Sequence, residues 1–169
     1  MILLYVIINL LKERLKLMNK VIYFDMDGTV ADLYNVPNWL EKLRSFDESP
    51  YIEAKPLVNM HELEKVCMAL INNGYHIGVI TWLSKDSNKL YDQKVTKAKF
   101  EWLQNYMPYI TQYQAISYGI PKQKAVKKSS LMILVDDNAD VRKMWDTPKT
   151  RKSIDATKDI ISELWKLVG

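Results

Sequence analysis

Val21-Ile22-Tyr23-Phe24-Asp25-Met26-Asp27-Gly28-Thr29-Val30 is an apolar, β-branched and aromatic run that passes into two carboxylates two residues apart and then a glycine. A run of this length and composition, closed by a turn residue, predicts a buried strand over 21–24 with Gly28 in the turn that follows. In an open α/β sheet, ligands bind beyond the carboxyl ends of the strands, where Asp25 and Asp27 fall. The plainer alternative is an acidic turn that merely closes a strand, since short motifs recur by chance. Two further runs repeat the pattern. Tyr75-His76-Ile77-Gly78-Val79-Ile80 ends in Thr81, with Trp82-Leu83-Ser84 behind it, and Leu131-Met132-Ile133-Leu134-Val135 ends in Asp136-Asp137-Asn138, with Asp140 close by. Three polar strand ends predict one shared crevice.

The intervening segments read as helices. Apolar spacing predicts a helix over 58–73 that closes at Gly74, and another over 92–106 that stops before Pro108. A short strand is expected at 115–118, after which Gly119-Ile120-Pro121 leads into Lys122, Gln123 and Lys124. A last strand at 153–156 and a last helix at 157–168, with Ile160, Ile161, Leu164 and Leu167 on one face, complete the order. Such alternation predicts an α/β fold, a Rossmann-like three-layer α/β/α arrangement around a parallel sheet. The 31–57 insertion is short. It is expected to hold one helix at 37–46, with Trp39, Leu40, Leu43 and Phe46 on its apolar face, and a loop at 47–56.

With 169 residues, 48% of them hydrophobic, the chain can bury one substantial core, and a single domain over 18–169 is expected. The net charge of +4 is mild. Lys85, Lys89, Lys94, Lys97 and Lys99 lie on or before one helix, and further basic residues run over 122–128 and 149–152. A solvated face is the common explanation of such charge; attraction of a phosphorylated substrate or of nucleic acid is the alternative. The single cysteine, Cys67, excludes an internal disulfide framework and is expected to pack as a small apolar residue in a reducing cytoplasm. Residues 1–11 are apolar and are followed by Lys12, Glu13, Arg14 and Lys16. That stretch is shorter than the roughly 20 residues that span a bilayer, and it lacks the basic start and small-residue cleavage site of a secretory signal. No stable membrane association is expected. Residues 1–17 are expected to be an extension outside the native product, with Met18 as its working start; a surface-seeking or core-docking helix is the alternative.

The order acidic pair, threonine, lysine, acidic pair, spread over about 20–156, resembles the motifs of the haloacid dehalogenase-like (HAD) phosphohydrolases. Within that superfamily the chain looks most like the small 5′(3′)-deoxyribonucleotidase-like phage and bacterial group. The likeness lies in the Asp25-to-Asp32 opening, Lys55-Pro56-Leu57, the strand to Thr81 and the Asp136-Asp137-Asn138 ending. HAD enzymes commonly insert a substrate-selecting cap after the first motif, and here the cap would be very small or absent.

The resemblance implies a phosphomonoesterase that depends on Mg²⁺ and acts on a small phosphorylated substrate, a nucleotide in the manner of a 5′-nucleotidase. Asp25 would attack phosphorus to give an aspartyl-phosphate. Asp27 would serve as general acid and then base, which needs a proton affinity raised toward the working pH. Thr81 would donate a hydrogen bond to a phosphoryl oxygen, and Lys122 or Lys124 would hold negative charge on the transferring group. Carboxylates converging on a dianion need a hard cation with oxygen ligands. Its ligands would be the side chain of Asp25, the backbone carbonyl of Asp27, and one or both of Asp136 and Asp137. Asp140 would be an outer member of that site or simply a helix N-terminal residue. Trp39, Trp82 and Tyr34 could stack on a base or serve only packing. Two other functions fit the same residues: a phosphatase of nucleic-acid 3′ or 5′ ends, and a non-catalytic HAD-like binding module.

Overall fold

The first apolar run forms the central strand of the sheet in the structure, a computed structural model that describes residues 20–127 and 129–169. The 1–17 extension, the start at Met18 and the basic Lys128 lie outside the described residues. Strand β1 (Lys20–Phe24) pairs in parallel with β4 (Tyr75–Trp82) on one side and with β6 (Leu131–Asp136) on the other. Beyond β4 lies β5 (Gln112–Ile116) and beyond β6 lies β7 (Arg151–Asp155), both parallel. The five-stranded order is therefore β5-β4-β1-β6-β7. The chain builds outward from β1 through β4 to β5, then returns to the other side of β1 to lay down β6 and β7. That reversal puts the topological switch point between β1 and β6, where open α/β sheets bind ligands.

Successive strand residues face opposite sides of the sheet, and the two sides bury different sets of helices. Ile22, Phe24, Ile77, Val79, Ile133 and Val135 pack against α3 (Met60–Asn72), the end of α4 (Lys89–Tyr106) and α6 (Ile160–Trp165). Val21, Tyr23, Ile80, Met132 and Leu134 pack against Val141 and Trp145 of α5 (Ala139–Trp145). The result is the expected Rossmann-like three-layer α/β fold. No helix among the described residues is long and apolar enough to cross a membrane.

The insertion is more ordered than its sequence indicated. Strand β2 (Ala31–Asp32) leaves the first loop and pairs antiparallel with β3 (Lys55–Pro56). Between them come a 3₁₀ turn (Leu33–Asn35), α1 (Trp39–Arg44) and α2 (Ser49–Glu53). The predicted helix at 37–46 is thus shorter, and the 47–56 loop is in fact a helix followed by a strand. Pro50 supplies the fixed φ of a helix's first turn. Tyr51 next to it buries its ring and hydrogen-bonds Ser84 Oγ at 2.8 Å, a tertiary contact that local pattern cannot show.

Other boundaries shift for local reasons. α4 begins three residues before the expected 92 because Asn88 caps it, its side chain accepting from Tyr91 N–H. α6 begins at Ile160 rather than at 157 because Asp159 caps it and accepts from Ser162 N–H. The strand expected at 115–118 runs instead over Gln112–Ile116, a half-buried edge of the sheet, where Gln112 and Gln114 alternate with Tyr113 and Ala115. The last strand likewise starts earlier than 153, at Arg151. Cys67 is buried in α3 among Leu63, Val66 and Leu70.

Candidate functional site

The chain leaves β1 in a tight loop. Asp25 N–H still donates to Val135 O at 2.8 Å, holding β1 against β6 for one more residue. The carbonyl of Met26 then accepts from the N–H groups of Thr29, Val30 and Ala31, at 3.2, 3.0 and 2.9 Å. Met26 itself is buried in the core, so Asp25 and Asp27 on either side of it are delivered to the crevice. Gly28 sits at φ +77, and a Cβ there would come within 2.7 Å of the Tyr34 ring and 2.8 Å of Asp137 Oδ2. Only glycine lets the loop pass this close to the end of β6.

One half of the site is acidic. Asp25, Asp136 and Asp137 each place a carboxylate oxygen within 4.8 Å of the others. Lys122, brought in by the 3₁₀ turn Lys122–Lys124, is 1% exposed and lies 2.7 Å from Asp25 Oδ1 and 2.6 Å from Asp136 Oδ2. The second oxygen of Asp136 accepts from Asn138 N–H at 2.9 Å, and Arg142 donates to the Asp136 carbonyl at 2.8 Å. Asp137 is tied more loosely: its N–H donates to Thr29 Oγ1 at 3.2 Å, and the Thr29 hydroxyl reaches Asp137 Oδ1 at 3.5 Å. Burial, and then the charge of Asp25, pushes both Asp136 and Asp137 above the ordinary carboxylate range. Burial works against the Lys122 ammonium, but the carboxylates of Asp25 and Asp136 outweigh it and hold its proton more tightly than usual.

Three carboxylates facing one ammonium leave two negative charges uncompensated. Oxygen donors of this charge, gathered at this spacing, suit a hard divalent cation of the Mg²⁺ class. The acidic cluster could therefore hold a metal ion.

The other half is arranged around Lys99. Its side chain is fully buried, and Nζ donates to Asp27 Oδ2 at 2.5 Å, Thr81 Oγ1 at 2.8 Å and the Trp82 carbonyl at 2.7 Å. The ammonium also lies 4.6 Å from the centre of the Tyr51 ring. Asp27 Oδ1 is buried and has no hydrogen-bond partner among the described residues. Burial pushes the Asp27 carboxyl up; Lys99 pulls it down and the charge of Asp25 pushes it up again, with a net rise.

A cleft of about 420 Å³ opens above these groups. Asp25 and Asp27 reach it, and Tyr34, Trp39 and Leu43 of the insertion line it together with Trp82 and Tyr118 from the strand ends. The Tyr34 and Trp39 rings meet edge to face at 5.1 Å, and Trp82 tilts against Tyr118 at 5.2 Å. Trp82 is further fixed by its Nε1–H, which donates to Ile120 O at 2.8 Å.

The residues singled out from sequence are thus distributed unevenly. Asp25, Asp136, Asp137 and Lys122 come together, and Asp27 stands beside them. Trp39 and Trp82 line the cleft. Thr81 is fully enclosed behind Lys99, with its own hydroxyl 3.5 Å from the Trp82 carbonyl. Lys124 is exposed and outside the cluster. Asp140 is exposed in the first turn of α5, which Asn138 caps.

Lys99 departs from the solvated face expected for the lysines of its helix. Lys94 and Lys97 do lie outside, 3.6 Å from Glu48 and 3.7 Å from Glu101. The signal was present in the spacing. The buried positions of α4 are Tyr91, Val95, Ala98, Lys99, Trp102 and Leu103, so Lys99 falls inside the apolar stripe of an amphipathic helix. No protein-family model matches this chain, and no curated protein matches it.

Proposed function

We propose that the protein is a HAD-like phosphomonoesterase that works through an aspartyl-phosphate, uses Mg²⁺, and acts on small phosphate esters whose alcohol carries an aromatic ring, nucleoside monophosphates among them. The observation that carries this reading is the pair Asp25 and Asp27. They leave one strand end into one cleft, yet one borders an acidic cluster short of positive charge while the other is buried against a lysine and pushed toward its protonated form.

These settings suit two different tasks. A carboxylate oxygen of Asp25 attacks phosphorus as the ester P–O bond breaks, and protonated Asp27 gives its proton to the departing alkoxide oxygen. The product alcohol leaves. Asp27, now ionised, takes a proton from the water that attacks the acyl-phosphate, restoring Asp25 and releasing inorganic phosphate. Lys122 keeps Asp25 anionic and places positive charge beside the phosphoryl oxygens. Bound by Asp25, the Asp27 carbonyl and Asp136 or Asp137, Mg²⁺ would supply a Lewis acid for those oxygens. Asp137 is the freer of the two ligands, because both oxygens of Asp136 already accept hydrogen bonds.

The cleft supports a small ligand. Pockets of roughly 300–1,000 Å³ lined by apolar and aromatic side chains are typical of small-molecule sites, and this one is about 420 Å³. Tyr34, Trp39, Trp82 and Tyr118 offer ring faces and edges within reach of the carboxylates.

Phosphate release from a panel of esters tests the reading: 5′- and 3′-nucleotides, p-nitrophenyl phosphate, glycerol phosphate and end-phosphorylated oligonucleotides, each with Mg²⁺ and with chelator. Metal-dependent release that favours the free aromatic esters is expected. Release chiefly from oligonucleotide ends, weakening steeply with salt, would replace the small-molecule substrate with a polymer. No release from any ester by folded protein would leave a binding module.

A further inference from the structure

We propose that Lys99 is the positioning residue for Asp27: it anchors Oδ2 so that Oδ1 is the one atom of that carboxyl group left to meet the leaving-group oxygen. The proposal rests on the phosphatase reading for its kinetics, but not for its geometry.

A lysine ammonium has three N–H bonds and no acceptor. Those of Lys99 go to Asp27 Oδ2, Thr81 Oγ1 and the Trp82 carbonyl, so none remains for a substrate phosphate. Its side chain is fully buried, and the cleft lining does not include it. Lys99 therefore touches no reacting atom; it acts through what it holds. Thr81 and the Trp82 carbonyl come from the end of β4, while Asp27 comes from the loop after β1. The lysine thus ties two neighbouring strand ends together through one nitrogen and fixes the Asp27 carboxyl against the rigid sheet. Tyr51 of the insertion closes over the ammonium at 4.6 Å.

The opposite edge of the same carboxyl is the informative one. A buried carboxyl oxygen with no partner is costly and rare in folded proteins, yet no group among the described residues partners Asp27 Oδ1. Reaction supplies the missing partner, first the leaving oxygen and then a water. Anchoring one oxygen while leaving the other bare is the geometry that a general acid needs, and misplacement by about 1 Å can cost on the order of 10²-fold in rate.

Leaving-group dependence separates positioning from simple structural support. An alkyl phosphate needs its departing oxygen protonated, whereas p-nitrophenolate leaves well without help. In Lys99→Met, kcat for an alkyl phosphate should fall by roughly 10²–10⁴-fold, the range of general acid catalysis. kcat for p-nitrophenyl phosphate should fall by less than about 10-fold, with KM for both nearly unchanged. Equal losses on the two esters, or no loss, would overturn the proposal.

Lys99→Met leaves Asp27 buried and unpaired and could fail to fold, so Asp27→Asn and the double variant Asp27→Asn/Lys99→Met, which removes both charges, are compared as well. If Lys99 acts only through Asp27, these two turn over alkyl phosphate at the same rate; a further loss in the double variant refutes it. A crystal structure of Lys99→Met gives a readout that needs no activity. The Asp27 carboxyl should leave its present place while Asp25, Lys122 and Asp136 keep theirs. An unmoved Asp27 defeats the proposal even if the protein is a phosphatase, and an inactive wild type defeats the phosphatase reading while this structure still decides the role of Lys99.

Discussion

Lys122 and Lys99 each clasp a carboxylate that leaves the end of β1, yet the two halves of the cleft differ in charge. Around Lys122, three carboxylates share one ammonium. Around Lys99, one carboxylate meets one ammonium, and the remaining contacts are neutral oxygens. The first half is short of positive charge, which suits a cation; the second pairs one ammonium with one carboxyl group and leaves Asp27 Oδ1 as the oxygen that would meet the leaving group in the proposed reaction. The same residue type thus sits in different surroundings because of how many carboxylates converge on it, which follows from the sheet: β1 and β6 flank the switch point, β1 running directly into Asp25 and β6 ending in Asp136, whereas β4 ends in Thr81-Trp82.

The largest expected effect comes from removing the proposed nucleophile of the acidic half. Asp25→Asn should lower turnover by on the order of 10⁴–10⁶-fold, as loss of a nucleophile does, with a thermal melting curve close to that of the parent. Turnover at the parent rate would show that the cleft does not use Asp25 at all.

Lys122→Met breaks the acidic half alone. It strands Asp25 and Asp136 without a counter-charge, and removing one partner of a buried ion pair typically costs about 3–5 kcal/mol. In chelator the variant should melt far below the parent, and Mg²⁺ should recover more stability in the variant than in the parent. If Mg²⁺ stabilises neither, measured as melting temperature against metal concentration, the cluster is not a cation site.

Gly28→Ala sharpens the contrast further, because its new methyl group would collide with Asp137, at 2.8 Å from Oδ2, and with the Tyr34 ring. A strained backbone of this kind costs roughly 1–3 kcal/mol. We expect that loss in denaturant unfolding together with a weakened response to Mg²⁺; an unchanged metal response would detach Asp137 from the site.

What the sequence made legible follows the same division. β1, β4 and β6 are continuous apolar runs because both faces of each strand are covered, and such runs are the clearest pattern a parallel sheet leaves. Their polar ends marked Asp25, Asp27, Asp136 and Asp137 without any tertiary information. α2 was hidden because five residues carry too little periodicity, and what holds them is Tyr51 packing under the cleft. The edge strand β5 was misplaced because its half-buried, alternating residues look like a loop. Lys99 is a different kind of miss. Its place in the stripe Tyr91, Val95, Ala98, Trp102 and Leu103 was readable, but a lysine among three others on one helix invites a solvated reading. A charged residue inside an apolar stripe deserves separate treatment, because burial of an unpaired ammonium would be prohibitive and a partner must exist. Lys124 illustrates the converse. Two residues from Lys122 on a 3₁₀ turn of three residues per repeat, it points elsewhere.

The smallest effect is also the most specific to the acidic half. Burial and the charge of Asp25 push Asp136 up to about 6, although Lys122 opposes the shift. The ordinary value in an unfolded chain is about 3.9. Between these two values the folded state binds more protons than the unfolded one, so the stability this group contributes is present at the acid end and is lost as pH rises through the folded value. In chelator, the parent should therefore lose stability relative to Asp136→Asn as pH is raised from about 4 to about 7. The carboxylates that are shifted down, Asp47, Glu62, Asp155 and Asp159, act in the opposite direction but are common to both proteins and cancel in the difference. Melting temperatures of the two across that range should diverge by a few degrees, and saturating Mg²⁺ should close the gap by favouring the ionised cluster. Parallel curves in chelator would mean that the three carboxylates do not repel one another in the folded protein, and the charge imbalance that separates the Lys122 half from the Lys99 half would lose its physical basis.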